Sequence, residues 1–497
     1  MSSYWLATAA ETDFPALDGD LATDVVVVGG GIAGLTTAAL VKQSGRRVAV
    51  VEARRVGRQA TGHSTAKVTS QHGVIYRELV RKHGQEGAGL YAEANQVAVE
   101  RVAQFVRELA IDCDFRRSAA YVYTTSDEGL DTLKEEADCA RRLGLPAELV
   151  DSAPLPGGLL GAVRFADQAQ FHPCKYIAGL ARSVEGDGCH VFEHTRVLDI
   201  QSGRPLRVET AGGTITADEV VVATQLPIIA EGMFFAKAHP HSEPMLAAII
   251  EPAAAPDGMF ISIDEPSLSV MVAPGEGRPC LIAAGGDYKP GHSDDARQAM
   301  ETLERSVRER FAVGEIIHRW TNHDYWPMDR VPFVGRTGNG QPLVATGFQA
   351  WGLSNGTAAG MMLADIIGGR SNRWLDLFDA DRLKPLASAP SFLSENTAVA
   401  GEMVGGHLKR RPKSPADLGA DEAEVVQGDG GLVAAYRDRD GRLHEVSAVC
   451  THMKCVVGWN PVDRTWDCPC HGSRFATDGS VLRGPAKSPL EPRPAKR

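Results

Sequence analysis

The sequence lacks the features that mark several large protein classes. No segment approaches the run of about 18 apolar residues that a membrane-spanning helix needs, so no membrane span is expected. Basic residues are outnumbered by acidic ones, 52 to 63, and a net charge of −11 argues against general binding to nucleic acid. The N-terminus has neither a basic start nor an apolar core, so we expect no secretory signal and a cytoplasmic protein.

Cysteine is scarce in most of the chain and concentrated near its end. Five of the nine cysteines are scattered without ligand-like spacing, and we expect small buried thiols at Cys113, Cys139, Cys174, Cys189 and Cys280. The other four lie in CTHMKC and CPCHGSRF, together with two histidines, between Cys450 and Phe475. From the residue types alone, a zinc site and a disulfide pair are both open at this cluster.

The N-terminal segment has the pattern of a nucleotide-binding βαβ unit. DVVVVGGG predicts a buried parallel strand, IAGLTTAALVKQSG a helix, and RRVAVVEA a second strand. Gly29, Gly31 and Gly34 form G-x-G-x-x-G between the first strand and the helix, where backbone N–H groups can bind a pyrophosphate. Glu52 ends the second strand and can accept hydrogen bonds from a ribose diol. The residues predict a dinucleotide, either NAD or FAD.

The C-terminal part of the chain changes in composition. We divide the chain into residues 1–385, a bridging helix and polar linker over 386–418, and residues 419–497. In the last part, short strands separated by turn signals such as DRDG predict a small all-β module.

Further segments over about residues 22 to 385 carry a family resemblance. They are VVVVGGGIAGL, VVEARRVGRQATGHSTAK, TRVLDI, DEVVVAT, LIAAGGDYKPG, DYWPMDRVPFVGR and VATGFQAWGLSNG. Together they resemble the D-amino-acid oxidase-like family of FAD-dependent oxidoreductases. The resemblance implies bound FAD, an α/β Rossmann-like FAD-binding domain, and a substrate domain with an antiparallel sheet. It implies FAD contacts from Gly29, Gly31, Ile32, Ala33, Gly34, Glu52, Ala53, Thr61, Gly62, Ser64, Val197, Ala223, Gly347, Gly352, Leu353 and Ser354.

The cysteine-rich boxes C-T-H-x-x-C and C-P-C-H-G-S resemble the two cluster-binding boxes of Rieske proteins. The resemblance implies an all-β Rieske domain with a [2Fe–2S] cluster, and it displaces zinc as the expected metal. It assigns thiolate ligands to Cys450 and Cys468 and imidazole ligands to His452 and His471. Neutral imidazoles in place of two thiolates raise the cluster's reduction potential, to between about −150 and +300 mV.

The same resemblance assigns roles around the cluster. It implies a disulfide between Cys455 and Cys470, and a hydroxyl at Ser473 that bonds a bridging sulfur. Phe475 stands where the highest-potential members have a tyrosine, so we expect a potential below the top of the range. LRGPAKSP resembles the proline loop that shields the cluster.

A flavin and a one-electron cluster in one chain predict a dehydrogenase. We expect it to oxidise the C–N bond of a small amine or amino acid and to pass electrons from reduced FAD through the cluster to an external one-electron acceptor. Alternatives are an oxygen-using amine oxidase with a bystander cluster, and a flavin/Rieske electron-transfer or redox-sensing protein. Reduction of the FAD by NADH is disfavoured, because the sequence has no second G-x-G-x-x-G at the start of a helix. An oxygenase iron site at His239, His241 and Glu243 is disfavoured as well, because HPHSEP will not form the required helix.

Substrate-contacting residues are weakly marked. His63, Lys67 and Trp351 are the catalytic candidates, with loop or packing roles as the alternative, and His63 ranks low as a covalent flavin anchor. Tyr288 and Lys289 lie near the expected substrate side, and packing is the alternative there too. Two arginines could bind a carboxylate, but we favour ion pairs for both: Arg319 and Arg336.

Overall fold

The computed structural model describes residues 2–274, 278–338, 342–382, 401, 414–428 and 431–493. The predicted bridging helix within 386–418 lies outside these residues, apart from Gly401. Among the described helices, none combines the length and the apolar character needed to cross a bilayer.

The helices of the described residues are α1 Tyr4–Thr8, α2 Ile32–Gln43, α3 Ile75–Glu108, α4 Asp127–Arg142, α5 Pro173–Val184, α6 Phe234–Lys237, α7 Ser293–Arg310, α8 Gly352–Ile367 and α9 Leu375–Phe378. The strands before residue 400 are β1 Leu21–Val28, β2 Val48–Val51, β3 Lys67–Val68, β4 Arg116–Thr124, β5 Ala147–Val150, β6 Gly161–Gln170, β7 His190–Phe192, β8 Val197–Gln201, β9 Leu206–Thr210, β10 Thr214–Val222, β11 Ala238–Ile250, β12 Met259–Ser262, β13 Ser269–Pro274, β14 Pro279–Ala284, β15 Val313–Pro327, β16 Phe333–Arg336 and β17 Leu343–Thr346.

The first sheet is the nucleotide-binding one, and its strands run in the order β16-β17-β10-β1-β2-β7. β17, β10, β1, β2 and β7 are parallel, while β16 and the β8–β9 hairpin join antiparallel. The valines of β1 and β2 are buried on both faces because helices cover the sheet. Helix α2 packs closely on α8, where a Cβ at Gly360 would lie 2.7 Å from the Thr36 side chain.

The second sheet has the order β15-β11-β14-β13-β12-β4-β6-β3, with β5 beside β6. Its pairs are antiparallel apart from β12 and β4, which run parallel. The expected combination of a Rossmann-like sheet with an antiparallel second sheet is confirmed. At one edge, β11 and β15 form a long two-stranded ribbon, and this ribbon positions the site described below.

The C-terminal strands form two small antiparallel sheets, as the all-β expectation required. They are β18 Glu422–Gly428, β19 Gly431–Arg437, β20 Leu443–Ser447, β21 Gly458–Asn460, β22 Thr465–Asp467, β23 Arg474–Phe475 and β24 Val481–Arg483. Between the sheets lies a hydrophobic cluster that includes Trp459, Trp466 and Phe475. The cysteines of both boxes are buried in this cluster, so the loops that carry them are held by their own core.

Candidate functional site

The glycine turn after β1 allows a close backbone approach at the start of α2. Gly29 has φ +112°, and a Cβ there would lie 2.5 Å from the carbonyl oxygen of Ala223. A Cβ at Gly34 would lie 2.0 Å from the carbonyl oxygen of Gly29, so only glycine permits this strand–helix contact. Gly31 is the N-cap of α2 and has no side chain to cover the helix N-terminus. The Thr61 hydroxyl accepts the Ile32 N–H at 3.2 Å, and the other N–H groups of this helix end suit a pyrophosphate.

Glu52 sits at the carboxyl end of β2, beside the same turn. Its carboxylate accepts the N–H of Gly30 at 2.9 Å and the N–H of Arg54 at 3.0 Å. Burial nevertheless raises the pKa of Glu52 above its usual value. These contacts fix the carboxylate at the edge of the cleft, where it can accept ribose hydroxyls.

A deep cleft, which we call the nucleotide cleft, runs from this turn to the β11/β15 ribbon. Most of the predicted FAD contacts line it, namely Gly29, Gly31, Ile32, Ala33, Glu52, Ala53, Thr61, Ser64, Val197, Ala223, Gly352 and Leu353. The other four predicted residues do not line the cleft and contact neighbouring groups instead. Gly34 and Gly62 pack on backbone carbonyls, Gly347 packs on Pro327, and Ser354 bonds to His72.

The polar lining of the nucleotide cleft fits FAD. Gln225 Oε1 and Asn322 Oδ1 are buried acceptors without a donor in the part of the chain that the structure describes. The flavin imide N–H and the ribityl hydroxyls are donors of the kind these atoms lack. Neither residue was found from the sequence, since they lie in different segments far from the glycine motif.

A second cavity adjoins the nucleotide cleft and shares three lining residues with it, Asn322, Asp324 and Ala350. A ring lying at this boundary would face both spaces. Charged and aromatic side chains line the second cavity, among them Glu78, Glu243, Asp287, Arg330, Trp326 and Trp351. The arrangement is that of a small-molecule pocket beside a cofactor.

The β11/β15 ribbon separates the second cavity from the C-terminal module. Side chains alternate between the faces of a strand, and residues paired across two strands share a face. On one face, Glu243 pairs with Asn322 and His241 with Asp324, and all four line the second cavity. The residues between them, such as His323 and Tyr325, point to the other face and contact the C-terminal module.

The three catalytic candidates fall in different places. Trp351 lines the second cavity and stacks on His72, with ring centroids 4.7 Å apart. Lys67 does not line either cavity, because its ammonium donates to the carbonyl of Phe260 and to the Ser269 hydroxyl. Burial lowers the pKa of Lys67 to about 7. The catalytic role of Lys67 stays a prediction, since its two hydrogen-bond partners also lie outside both linings.

His63 also lies outside the linings of both cavities. Its Nδ1 bonds to the carbonyl of Gln59 at 2.9 Å, and burial lowers its pKa to about 4. Two other candidates are elsewhere as well: Tyr288 lies beside Asn460 of the C-terminal module, and Lys289 is not in the lining of the second cavity. Arg319 and Arg336 form ion pairs with Glu304 and Glu219, as expected.

The four predicted cluster ligands meet as two pairs in the C-terminal module, thiol with thiol and imidazole with imidazole. Cys450 and Cys468 are buried, and a hydrogen bond between them lowers the pKa of Cys450 to about 7 and raises that of Cys468. The imidazole rings of His452 and His471 meet with centroids 5.0 Å apart. Their Nδ1 atoms are buried and without a hydrogen-bond partner among the described residues. Two thiols and two unpartnered ring nitrogens fit the mixed ligand set of a Rieske cluster.

The cluster loops are tied together around these ligands. The structure joins Cys455 and Cys470 in the expected disulfide. The Ser473 hydroxyl accepts the N–H of Ala486 at 3.1 Å. This bond links residues 468–473, which we call the ligand loop, to the predicted proline loop.

The ligand loop lies directly against the flavin-binding part of the chain. The Tyr325 hydroxyl donates to the backbone carbonyl of His471 at 2.8 Å. The ring of Phe235 lies edge-on to His471 and His452, with centroids 5.5 Å and 6.2 Å away. A Cβ at Gly472 would lie 2.7 Å from the Tyr325 hydroxyl, so the close contact requires a glycine there.

The predicted proline loop of the C-terminal module forms part of the nucleotide cleft. Residues Leu482, Arg483, Gly484, Ala486 and Lys487 line it. The contact is held by Gln59, which donates to the carbonyl of Leu482 at 2.9 Å, and by the Arg483 guanidinium, which donates to the carbonyl of His323. This contact was not predicted from the sequence, because no local pattern indicates which surface a loop will cover.

A buried ion network seals the same contact. Arg474 of the C-terminal module forms ion pairs with Asp463 and Asp467 and donates to Thr321 and His323 of the ribbon. Its side chain is 7% exposed. Because unpaired buried charges are costly, this network favours one fixed docked arrangement.

Comparison with known proteins is consistent with both sites. Residues 24–366 match the family model described as FAD dependent oxidoreductase, and residues 412–494 match the model of the Rieske [2Fe-2S] domain. The Bacillus subtilis protein YhfW, whose name describes a Rieske 2Fe-2S iron-sulfur protein, is 34% identical over 98% of this chain and 97% of its own.

Two further relatives match the flavin-binding part. Gamma-glutamylputrescine oxidoreductase of Escherichia coli is 24% identical, over 79% of this chain and 92% of its own. The crystal structure of glycine oxidase from Geobacillus kaustophilus superimposes with a TM-score of 0.60 at 18% identity, over 73% of this chain and 100% of that one. The second similarity bears on the fold alone.

Proposed function

The chain belongs to the family of FAD-dependent oxidoreductases and carries a C-terminal Rieske [2Fe–2S] domain; from this premise we propose that it is an amine or amino acid dehydrogenase. In this proposal it oxidises a C–N bond and delivers the electrons through the cluster to an external one-electron acceptor. Bound FAD supplies the two-electron oxidation, and the cluster supplies one-electron transfer at a higher potential than that of a plant-type ferredoxin.

One observation carries the proposal: a cluster ligand contacts the same ribbon that lines the substrate side of the flavin site. Tyr325 bonds the carbonyl of His471 from one face of β15, while Asp324 and Asn322 line the second cavity from the other. A cluster that merely accompanied the flavin would not need this contact or a proline loop in the nucleotide cleft.

The chain's own residues have separable tasks in this proposal. The N-terminus of α2 and Glu52 bind the nucleotide end of the cofactor. The second cavity holds the substrate, with Trp351 as one wall. The proline loop closes the nucleotide cleft on the side of the cluster and excludes water from the space between the two centres.

One relative gives the direction of the substrate proposal. The name of the relative gamma-glutamylputrescine oxidoreductase refers to an amine compound with oxidisable C–N bonds. The charged and aromatic lining of the second cavity is compatible with such compounds, since amines and amino acids carry charge next to the reacting carbon.

The experiment is an anaerobic titration of the purified holoprotein with a panel of amines and amino acids. Visible absorbance follows the flavin, and electron paramagnetic resonance follows the cluster. We expect at least one compound to bleach the flavin and to produce the signal of the reduced cluster. A flavin that NADH bleaches but no amine or amino acid does would contradict the proposal.

A matched variant separates the dehydrogenase from an oxidase with a bystander cluster. His452→Ala removes one cluster ligand and leaves the nucleotide cleft intact. In air, and with an acceptor dye present, the wild-type protein should yield less hydrogen peroxide per substrate oxidised than the variant. Equal yields from both proteins would favour the oxidase.

A further inference from the structure

We propose that the substrate binds as a cation with no carboxylate beside its reacting carbon, such as an alkylamine or a polyamine, and that Glu243 binds its positive group. The inference rests on the proposed function and narrows its substrate class. It follows from the charges that line the second cavity and from the partners that each of them has.

Glu243 is a carboxylate without a donor. Burial raises its pKa to about 7, and no hydrogen bond or ion pair to its side chain occurs within the described ranges. Lys67 is the cation whose charge acts on it, but the Lys67 ammonium is bonded to the Phe260 carbonyl and the Ser269 hydroxyl instead. The carboxylate is half-buried and borders the second cavity, so its donor comes from whatever fills that cavity, water or a ligand.

Asn322 lies beside Glu243 at the boundary of the two cavities, where its side-chain oxygen can accept one hydrogen bond from the flavin and a second from a substrate. It pairs with Glu243 across the ribbon, so the two side chains are neighbours on the face that lines the cavity. Asn322 is 8% exposed, and its Oδ1 has no partner within the described residues. Two adjacent acceptors, both lacking donors, favour a ligand that brings N–H groups.

The other carboxylates of the second cavity already have partners. Glu78 pairs with Arg330 and Lys82, each at 3.1 Å, and Asp287 pairs with His241 at 2.9 Å. Asp324 accepts the backbone N–H groups of Tyr325 and Ala350. Glu243 is therefore the carboxylate left to bind a substrate cation.

The cavity offers little to a substrate carboxylate. Among the described lining residues, Arg330 is the one arginine or lysine, and it is paired with Glu78. Its guanidinium also lies over the ring of Trp326, 4.6 Å from the centroid. His72 is neutral, because burial lowers its pKa to about 3. An α-carboxylate would therefore face Glu243 and Asp324 without a free counter-charge.

The aromatic walls also suit a cation. Trp326 and Trp351 both line the second cavity, but Arg330 and His241 already lie over the Trp326 ring, so Trp351 is left to give an ammonium group a cation–π contact. The Trp351 ring is held in place by its stacking on His72. An alkyl chain can lie on these walls while its charge reaches Glu243.

The test measures binding rather than turnover. Benzamidine, benzamide and benzoate have nearly the same shape but are cationic, neutral and anionic, and none has a hydrogen on the carbon bonded to nitrogen. Isothermal titration calorimetry of the oxidised holoprotein at pH 8, where Glu243 is ionised, compares the three ligands. We expect benzamidine to bind at least tenfold more tightly than benzamide, and benzoate more weakly than either.

Variants then assign the preference to one residue. Glu243→Gln should weaken benzamidine binding roughly 10- to 100-fold, the range for hydrogen bonds to charged groups, and leave benzamide binding within twofold. Glu315→Gln, which removes an exposed carboxylate from the partner strand β15, is the matched control and should change neither. Flavin and cluster absorbance show that each variant retains both cofactors.

Three binding results would overturn the inference. They are benzoate binding to the wild-type protein more tightly than benzamidine, absence of any preference for benzamidine over benzamide, and unchanged benzamidine binding in Glu243→Gln. The wild-type comparison decides the matter even if Glu243→Gln does not fold. α-Amino acids that bleach the flavin equally in wild type and Glu243→Gln would leave the proposed function intact and refute this inference alone. If benzamidine binds through Glu243 but no amine reduces the flavin, this inference stands and the proposed function is refuted.

Discussion

Replacing Thr321 by valine should loosen the C-terminal module from the flavin-binding part. Thr321 lies on β15 and is fully buried, and its hydroxyl donates to Asp463 and accepts from Arg474 Nη2, the latter at 2.9 Å. Valine keeps the shape and removes both hydrogen bonds to charged groups. At about 1.5 kcal/mol each, the lower end of their range, the docked arrangement loses about 3 kcal/mol. This corresponds to roughly a 100-fold change in the docking equilibrium.

Hydrogen–deuterium exchange measures this change directly, because amide protection at the contact reports the free energy of local opening. Amides of β15 and of the ligand loop around His471 should exchange roughly 100-fold faster in Thr321→Val than in the wild-type protein. Thr216→Val is the control, since the Thr216 hydroxyl bonds only the Leu21 carbonyl, at 3.4 Å, among the described contacts. Unchanged protection in Thr321→Val would refute the view that this polar network holds the module in place.

Three further outcomes follow from the two sites. Gly31→Val should reduce FAD content at least tenfold, because the new side chain covers the N-terminus of α2. Iron content should stay unchanged, since an ideal Cβ at Gly31 meets nothing closer than 3.5 Å and the fold is kept. Absorbance and iron assays check both. Cys455→Ser opens a loop closed over a separation of 15 residues, and we expect about 3 kcal/mol less stability in urea unfolding followed by cluster absorbance. Since burial raises the pKa of Glu243 to about 7, benzamidine binding should weaken as pH falls from 8 to 6, when the carboxylate is protonated and loses its charge. This pH dependence of benzamidine binding should disappear in Glu243→Gln. The variant thereby separates the titration of Glu243 from that of the other charged or titratable groups that act on it or share its cavity, which are Lys67, His72, Glu78, His241, Asp287, Asp324 and Arg330.

The parts of the site that lie close together in sequence were predictable. The cluster ligands fall between Cys450 and His471, and their spacing alone restricts the geometry they can form. The glycine turn likewise depends on contacts within one βαβ unit, so the positions of Gly29, Gly31 and Glu52 beside the cleft followed from their spacing. In both cases local spacing and the chemistry of the residues carry the information.

The second cavity was not predictable in the same way. Glu243 and Asn322 become neighbours because two strands that are distant in sequence pair with each other. The register of that pairing cannot be deduced from the sequence of either strand. HPHSEP forms no helix, as its prolines predicted, and is part of strand β11 instead. Lys67 lies close in sequence to the predicted flavin loop, yet its ammonium bonds the Phe260 carbonyl and the Ser269 hydroxyl and lines neither cavity.

The contact between the two modules was the least predictable feature. Arg474 directly follows the C-P-C-H-G-S box, but nothing in that box indicates the partners of its side chain, which is buried among acidic and polar groups from both modules. A contact of this kind depends on whether the surfaces of two folded modules are complementary, which a local sequence pattern does not reveal. For the same reason, the role of Tyr325 beside His471 has no signature in its own segment.

The central claim is that the flavin and the cluster exchange electrons within one chain. Laser-flash photoreduction of the flavin in the anaerobic holoprotein, followed by cluster absorbance, tests it most directly. The account predicts that the cluster is reduced with first-order kinetics at a rate independent of protein concentration, and more slowly in Thr321→Val. A rate that rises in proportion to protein concentration, or a cluster that stays oxidised beside a reduced flavin, would contradict it.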